Sequence, residues 1–110
     1  MGEYDWIRPS KLNDLELREA ILECLKTGRY YYSAHAHQRF RKRAMTQMEI
    51  IHALRNGKHE KSKDRYDAGM KRWAYSIRGR SSAGERYLRV IISFRNDDGM
   101  MVVVTVIELN

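Results

Sequence analysis

The sequence predicts one α+β domain: an N-terminal helix, a short strand, two more helices, then an antiparallel β-meander of three to four strands with the helices packed on one face. Three observations predict it. The first half of the chain carries apolar residues at helical spacing between capping residues, and the second half switches to alternation. An Asp-Gly pair then separates the last two alternating runs. At 110 residues, with 43% hydrophobic and 32% charged side chains, the chain can fill one core, and a single proline argues against linkers. Residues 1–28 read as a helical extension and residues 29–110 as the core, all within one domain.

Each element has a local reason. From Ser10 to Thr27, Leu12, Leu15, Leu22 and Leu25 recur at helical spacing with Ile21 beside them. Pro9 and Ser10 mark the predicted start, and Gly28 follows the end as a left-handed cap. Arg29 to Ser33 holds three tyrosines in a row and predicts a short strand. Ser33 caps a helix over Ala34 to Arg43. Thr46 and Glu49 form a capping box, opening a helix through Ile50, Ala53 and Leu54 that closes at Asn56-Gly57. Lys58 to Arg65 is polar and predicts a weak or edge strand.

From Lys71 to Gly79, Trp73, Tyr75 and Ile77 alternate with Arg72, Ala74, Ser76 and Arg78. Arg80 to Glu85 is a predicted loop. From Arg86 to Arg95, Leu88, Val90, Ile92 and Phe94 alternate with Tyr87, Arg89, Ile91 and Ser93. Met100 to Glu108 is apolar at consecutive positions, as expected of a central strand covered on both faces.

Charge narrows the function. The formal net charge is +7, and it is concentrated. Residues 29–95 hold seventeen bases and five acids, a net of +12, while both ends are mildly acidic. A basic middle points to a polyanion, with nucleic acid first and an acidic protein second. Cys24 is the only cysteine, so neither an intrachain disulfide nor a cysteine zinc site can form, and a core thiol is expected. No apolar run is long enough to span a bilayer and no apolar signal core opens the chain, so the expected location is the cytoplasm, with no membrane partner.

Two constellations carry candidate chemistry. His35, Arg39 and Arg43 are spaced i, i+4, i+8, so they form one stripe on the second helix beside the core-facing Ala36 and Phe40. Two guanidiniums offer planar forks to phosphate oxygens, and His35 is a candidate general base or acid. The other reading of this stripe is a solvated basic face. The second constellation lies on the strands. If Leu88, Val90 and Ile92 face the helices, then Tyr87, Arg89, Ser93 and Arg95 share the opposite face with Arg72, Ser76 and Arg78. Arginines interleaved with a stacking ring suit single-stranded RNA. An ordinary polar sheet face is the alternative.

No metal is expected: His35 and His37, at i and i+2, are turned about 200° apart on a helix and cannot clasp one ion. Too few acids lie in the basic middle to hold two magnesium ions, and no glycine-rich phosphate loop or Ser-His-Asp set appears. What fits is cofactor-free RNA cleavage, in which the ribose 2′-hydroxyl attacks its own phosphate. That reaction needs a base, an acid and positive charge, which histidine, tyrosine and arginine supply.

Ser33-Ala34-His35-Ala36-His37-Gln38-Arg39-Phe40-Arg41-Lys42-Arg43 resembles the S-x-H-A-x-x-R-x-x-x-R signature of a small, largely uncharacterised bacterial domain family. There the signature precedes a glycine-ended helix, a meander and a terminal strand, over what are here residues 30 to 108. The architecture is also similar to RelE-like and MqsR-like ribonuclease toxins of toxin–antitoxin pairs. These resemblances imply a metal-independent endoribonuclease with RNA as substrate and an antitoxin partner. The signature itself carries over only His35, Arg39 and Arg43. In that reading His35, Arg39, Arg43 and Tyr75 are catalytic, and Arg72, Arg78, Tyr87, Arg89 and Arg95 bind RNA. A non-catalytic nucleic-acid-binding or protein-interaction module with the same basic surface is the alternative.

Overall fold

A computed structural model describes residues 10–82 and 86–109. The acidic N-terminal residues, Pro9 and part of the predicted Arg80–Glu85 loop lie outside them. The order is α1 (Asp14–Thr27), β1 (Tyr30–Tyr32), α2 (Ala34–Arg43), α3 (Gln47–Asn56), β2 (Lys58–His59), a 3-10 turn (Lys61–Lys63), β3 (Arg65–Asp67), β4 (Arg72–Arg80), β5 (Tyr87–Phe94) and β6 (Met101–Glu108). The predicted α+β architecture holds. Its antiparallel meander is β4-β5-β6, within a six-stranded sheet ordered β1-β6-β5-β4-β2, with β3 also on β4. The sheet is mixed, because β1 runs parallel to β6.

Local chemistry explains the boundaries. α1 begins later than its leucine pattern suggested, because Asn13 and Glu16 form a reciprocal capping box that fixes the first turn there. Gly28, at φ 73°, ends it as predicted. Thr46 caps α3 through the Glu49 amide, but the Glu49 carboxylate turns to Arg86 instead of closing the second half of the box.

Gly57 ends α3 as expected, and it has a second role. Its backbone is extended, and a Cβ there would collide with Ala53 O and lie 2.6 Å from Arg78 O. A Cβ on Gly79 would lie 2.6 Å from the same Ala53 O. The two glycines let α3 press its backbone onto β4.

All three helices cover one side of the sheet. Leu17, Ile21 and Cys24 of α1, Ala36 of α2, and Ile50, Ala53 and Leu54 of α3 pack against Ile77, Leu88, Val90, Ile92, Val103 and Val106. As expected of a central strand, β6 lies between β1 and β5 and is buried on both faces over its first half, with Val102 5% and Val103 0% exposed. Its apolar run hides a β-bulge: Ile92 pairs with Val103 and Ile91 with Thr105, leaving Val104 as the extra residue. Inward positions therefore change from Met101 and Val103 to Val106, so apolar residues on both sides of the shift can serve the same core. The carbonyl at Val104 accepts a 2.7 Å hydrogen bond from the Ser33 hydroxyl, which also caps α2 through the Ala36 amide. One serine thus joins the start of α2 to the bulge.

Candidate functional site

The side of the sheet away from the helices carries a row of cations. Register places Lys58, Arg78 and Arg89 in one row across β2, β4 and β5, and Arg80 beside Tyr87 in the next. Like charges directly across strands repel. One row therefore concentrates three of them beside a groove of 650 Å³ lined by Lys58, Glu60, Arg78, Arg80 and Tyr87. The Tyr87 ring, 38% exposed, has the Arg78 and Arg80 guanidiniums 5.2 and 4.7 Å from its centroid, and Arg80 Nε donates to its hydroxyl at 3.0 Å.

Glu60 is the group that sequence reasoning missed. Its amide bonds Ser76 O, which swings the carboxylate over the open face. Arg89 grips both oxygens, at 2.6 and 3.0 Å, and the Ser76 hydroxyl donates to Oε1 at 2.9 Å. Those Arg89 bonds, helped by Ser76 and opposed by burial, hold the carboxyl down at about 2. Glu60 adjoins the groove as a carboxylate gripped by an arginine that an incoming phosphate could claim. A lone Glu in a polar stretch gave no signal, because its role depends on the β2–β4 pairing.

The other expected residues are distributed as follows. Arg72, Arg78, Tyr87 and Arg89 share the open face, as their alternation requires. Arg95 is held in its own turn by Asp97, at 3.2 and 2.8 Å. Tyr75 faces the helices, 4% exposed, with its hydroxyl accepting from the Leu12 amide at 2.9 Å, and burial pushes its phenol up. His35 and Arg43 are exposed and Arg39 is half-buried on α2, in the helical layer. The expected convergence of this stripe with the meander arginines is therefore not formed, because the sheet lies between them. Within the motif, Ser33 caps and staples, and Ala36, with no exposed surface, packs the core.

The histidines are separated. His52 contacts Arg80 O, and His37 packs on Tyr32 and Phe40. His59 lies between two carboxylates, Nδ1 2.7 Å from Asp14 and Nε2 2.7 Å from Asp64. Asp64 also pairs with Lys11 at 2.8 Å and accepts from the Ser76 amide at 3.0 Å, so this cluster, buried at Asp64 and His59 and open at Asp14, clasps α1 to the sheet edge. His59 draws the Asp14 carboxyl below its ordinary range. Among the described residues, no group of three or more His, Cys, Asp or Glu is arranged to hold a metal ion. Cys24 is buried, which pushes its thiol up. No helix among the described residues is long and apolar enough to cross a membrane.

These features define an α+β domain with helices on one side of its sheet and a cationic, tyrosine-bearing groove on the other. The chain belongs to the family described as Domain of unknown function (DUF4258), whose model matches residues 32–108. No curated protein and no solved structure matches it.

Proposed function

We propose that the chain binds single-stranded RNA across the open sheet face and cleaves it without metal, as the toxin of a toxin–antitoxin pair. The carrying observation is the row Lys58, Arg78 and Arg89, with Tyr87 flanked by arginines beside it. Cations in a row suit successive phosphates, and an exposed ring suits a base. A phosphate that takes Arg89 away from Glu60 returns basicity to that carboxylate. Glu60 then accepts the ribose 2′-hydroxyl proton, the 2′-oxygen attacks phosphorus, and the bond to the 5′-oxygen breaks. The Tyr87 hydroxyl protonates that leaving oxygen, giving a 2′,3′-cyclic phosphate and a 5′-hydroxyl. Arg78 and Lys58 stabilise the charge on the pentacoordinate phosphorus. In this scheme His35, Arg39 and Arg43 form a second cationic patch outside the reacting groove, and an acidic antitoxin is the protein partner.

A non-catalytic RNA-binding role is the second reading, favoured by the Arg89 grip that makes Glu60 a weak base at rest. Purified protein incubated with RNA in EDTA tests both. Cyclic-phosphate ends that disappear in Glu60→Gln, with RNA binding kept, are the expected result. Salt-dependent binding with no cleavage by the unaltered chain gives the second reading. An RNA that is neither bound nor cut refutes both.

A further inference from the structure

The open face has a second concavity, four residues along β4 from Arg78. It holds 230 Å³ and is floored by Ala74 and Val102, with Met70 and Val104 beside them. That is less than the roughly 300–1,000 Å³ of drug-sized pockets, and it suits one small ring system. Three polar side chains border it with binding capacity unused. Ser93 is 3% exposed and its hydroxyl has no hydrogen-bond partner among the described residues, although buried hydroxyls ordinarily find one. Asp67 spends one lone pair of Oδ1 on the Met70 amide, which leaves Oδ2 and a second lone pair of Oδ1. Arg72 lies directly across from Asp67 on β4, yet the two form no ion pair. A shallower depression continues from Met70 and Arg72 to Tyr31, whose ring is 40% exposed.

We infer that this cavity is a nucleobase subsite with a preference for guanine. An apolar floor with one carboxylate and one guanidinium at its border fits a neutral ring better than a phosphate, which Asp67 would repel. The pair is complementary to a base that presents donors and acceptors together. Asp67 accepts from the N1 and N2 hydrogens of guanine, and Arg72 donates to its O6 or N7. Adenine, cytosine and uracil offer Asp67 a single donor group on such an edge, where guanine offers two, so they bind the pair less completely. Ser93 supplies a third hydrogen bond from the floor, and Tyr31 offers a stacking surface next door. The inference deepens the RNA reading by giving the same face a sequence preference.

Titration of the full chain with guanosine, adenosine, uridine and inorganic phosphate, followed by amide chemical shifts, tests it. Guanosine is expected to bind at least fivefold more tightly than the other nucleosides, with shifts at Ser93, Arg72 and Asp67. Asp67→Asn keeps an oxygen for the Met70 amide, so the turn survives, and it should weaken guanosine roughly fivefold to a hundredfold. Ser93→Val removes the hydroxyl and sets two methyl groups in the floor, and it should also weaken guanosine binding. Equal binding of all three nucleosides, binding of phosphate alone, or an Asp67→Asn variant that binds guanosine unchanged overturns the subsite. The RNA reading is judged separately by Glu60→Gln, which leaves this cavity intact. Guanosine preference without any RNA binding would sink that reading and leave the subsite standing.

Discussion

Glu60→Gln should remove an acid-sensitive contribution to stability. A carboxyl held at about 2 in place of its ordinary 4.5 corresponds to about 3 kcal/mol at neutral pH. That figure is a ceiling. The Glu60 and Arg89 side chains keep 18% and 20% of their surface in contact with solvent, and screening with side-chain entropy reduces the net effect to about 1–2 kcal/mol. The sign follows from linkage. A depressed carboxyl contributes fully above the unfolded value of 4.5, and the contribution is lost as pH falls through about 2. Urea unfolding of the unaltered chain and Glu60→Gln between pH 2 and 7 should therefore show curves about 1–2 kcal/mol apart at pH 7 that converge in acid. Asp14 and Asp97, also depressed, are present in both proteins and cancel in the difference. A gap independent of pH would refute the assignment of the Glu60–Arg89 pair as the origin of the shift.

Three further outcomes are expected. Gly79→Ala drives a Cβ to 2.6 Å from Ala53 O and should cost about 1–3 kcal/mol in urea unfolding; an unchanged midpoint would mean that α3 does not press on β4. Asp64→Asn removes the charge facing Lys11 and His59 and should cost about 3 kcal/mol, with RNA affinity unaltered if the clasp is purely architectural. Arg78→Ala should lower the slope of log affinity against log salt by about 1, whereas Arg95→Ala, whose guanidinium is committed to Asp97, should leave it unchanged. Equal slopes for the two variants would count against the groove.

The fold was legible where the cause of structure is local. Ser33, Thr46, Gly28 and the Asp98-Gly99 turn are recognised by their immediate neighbours, and alternation separated the arginine side of β4 and β5 from the core side. The misreadings arose where the cause is distant. Gly57 was read only as the end of α3, because the approach of Ala53 and Arg78 cannot be seen in a linear pattern. The run Val102-Val103-Val104 is uniformly apolar, so it hides the point at which the register shifts. The pairing of Tyr30–Tyr32 with Met101–Val103 joins segments seventy residues apart. For the site, the arginines of one strand face were foreseeable from spacing. Glu60 was not, since Ser76 and Arg89 meet it only after folding.

The segment matched by the family begins at residue 32, whereas Leu17 and Ile21, 1% and 3% exposed, seal the hydrophobic layer from the preceding helix. A chain trimmed to that boundary would be unroofed beside Leu54 and Ile77. It would also lose most of β1, baring the outer rim of β6 as an adhesive edge. The side chains of α1 thus belong to the same hydrophobic layer as the matched segment, and a chain cut at residue 32 would expose apolar ground that the full chain keeps dry.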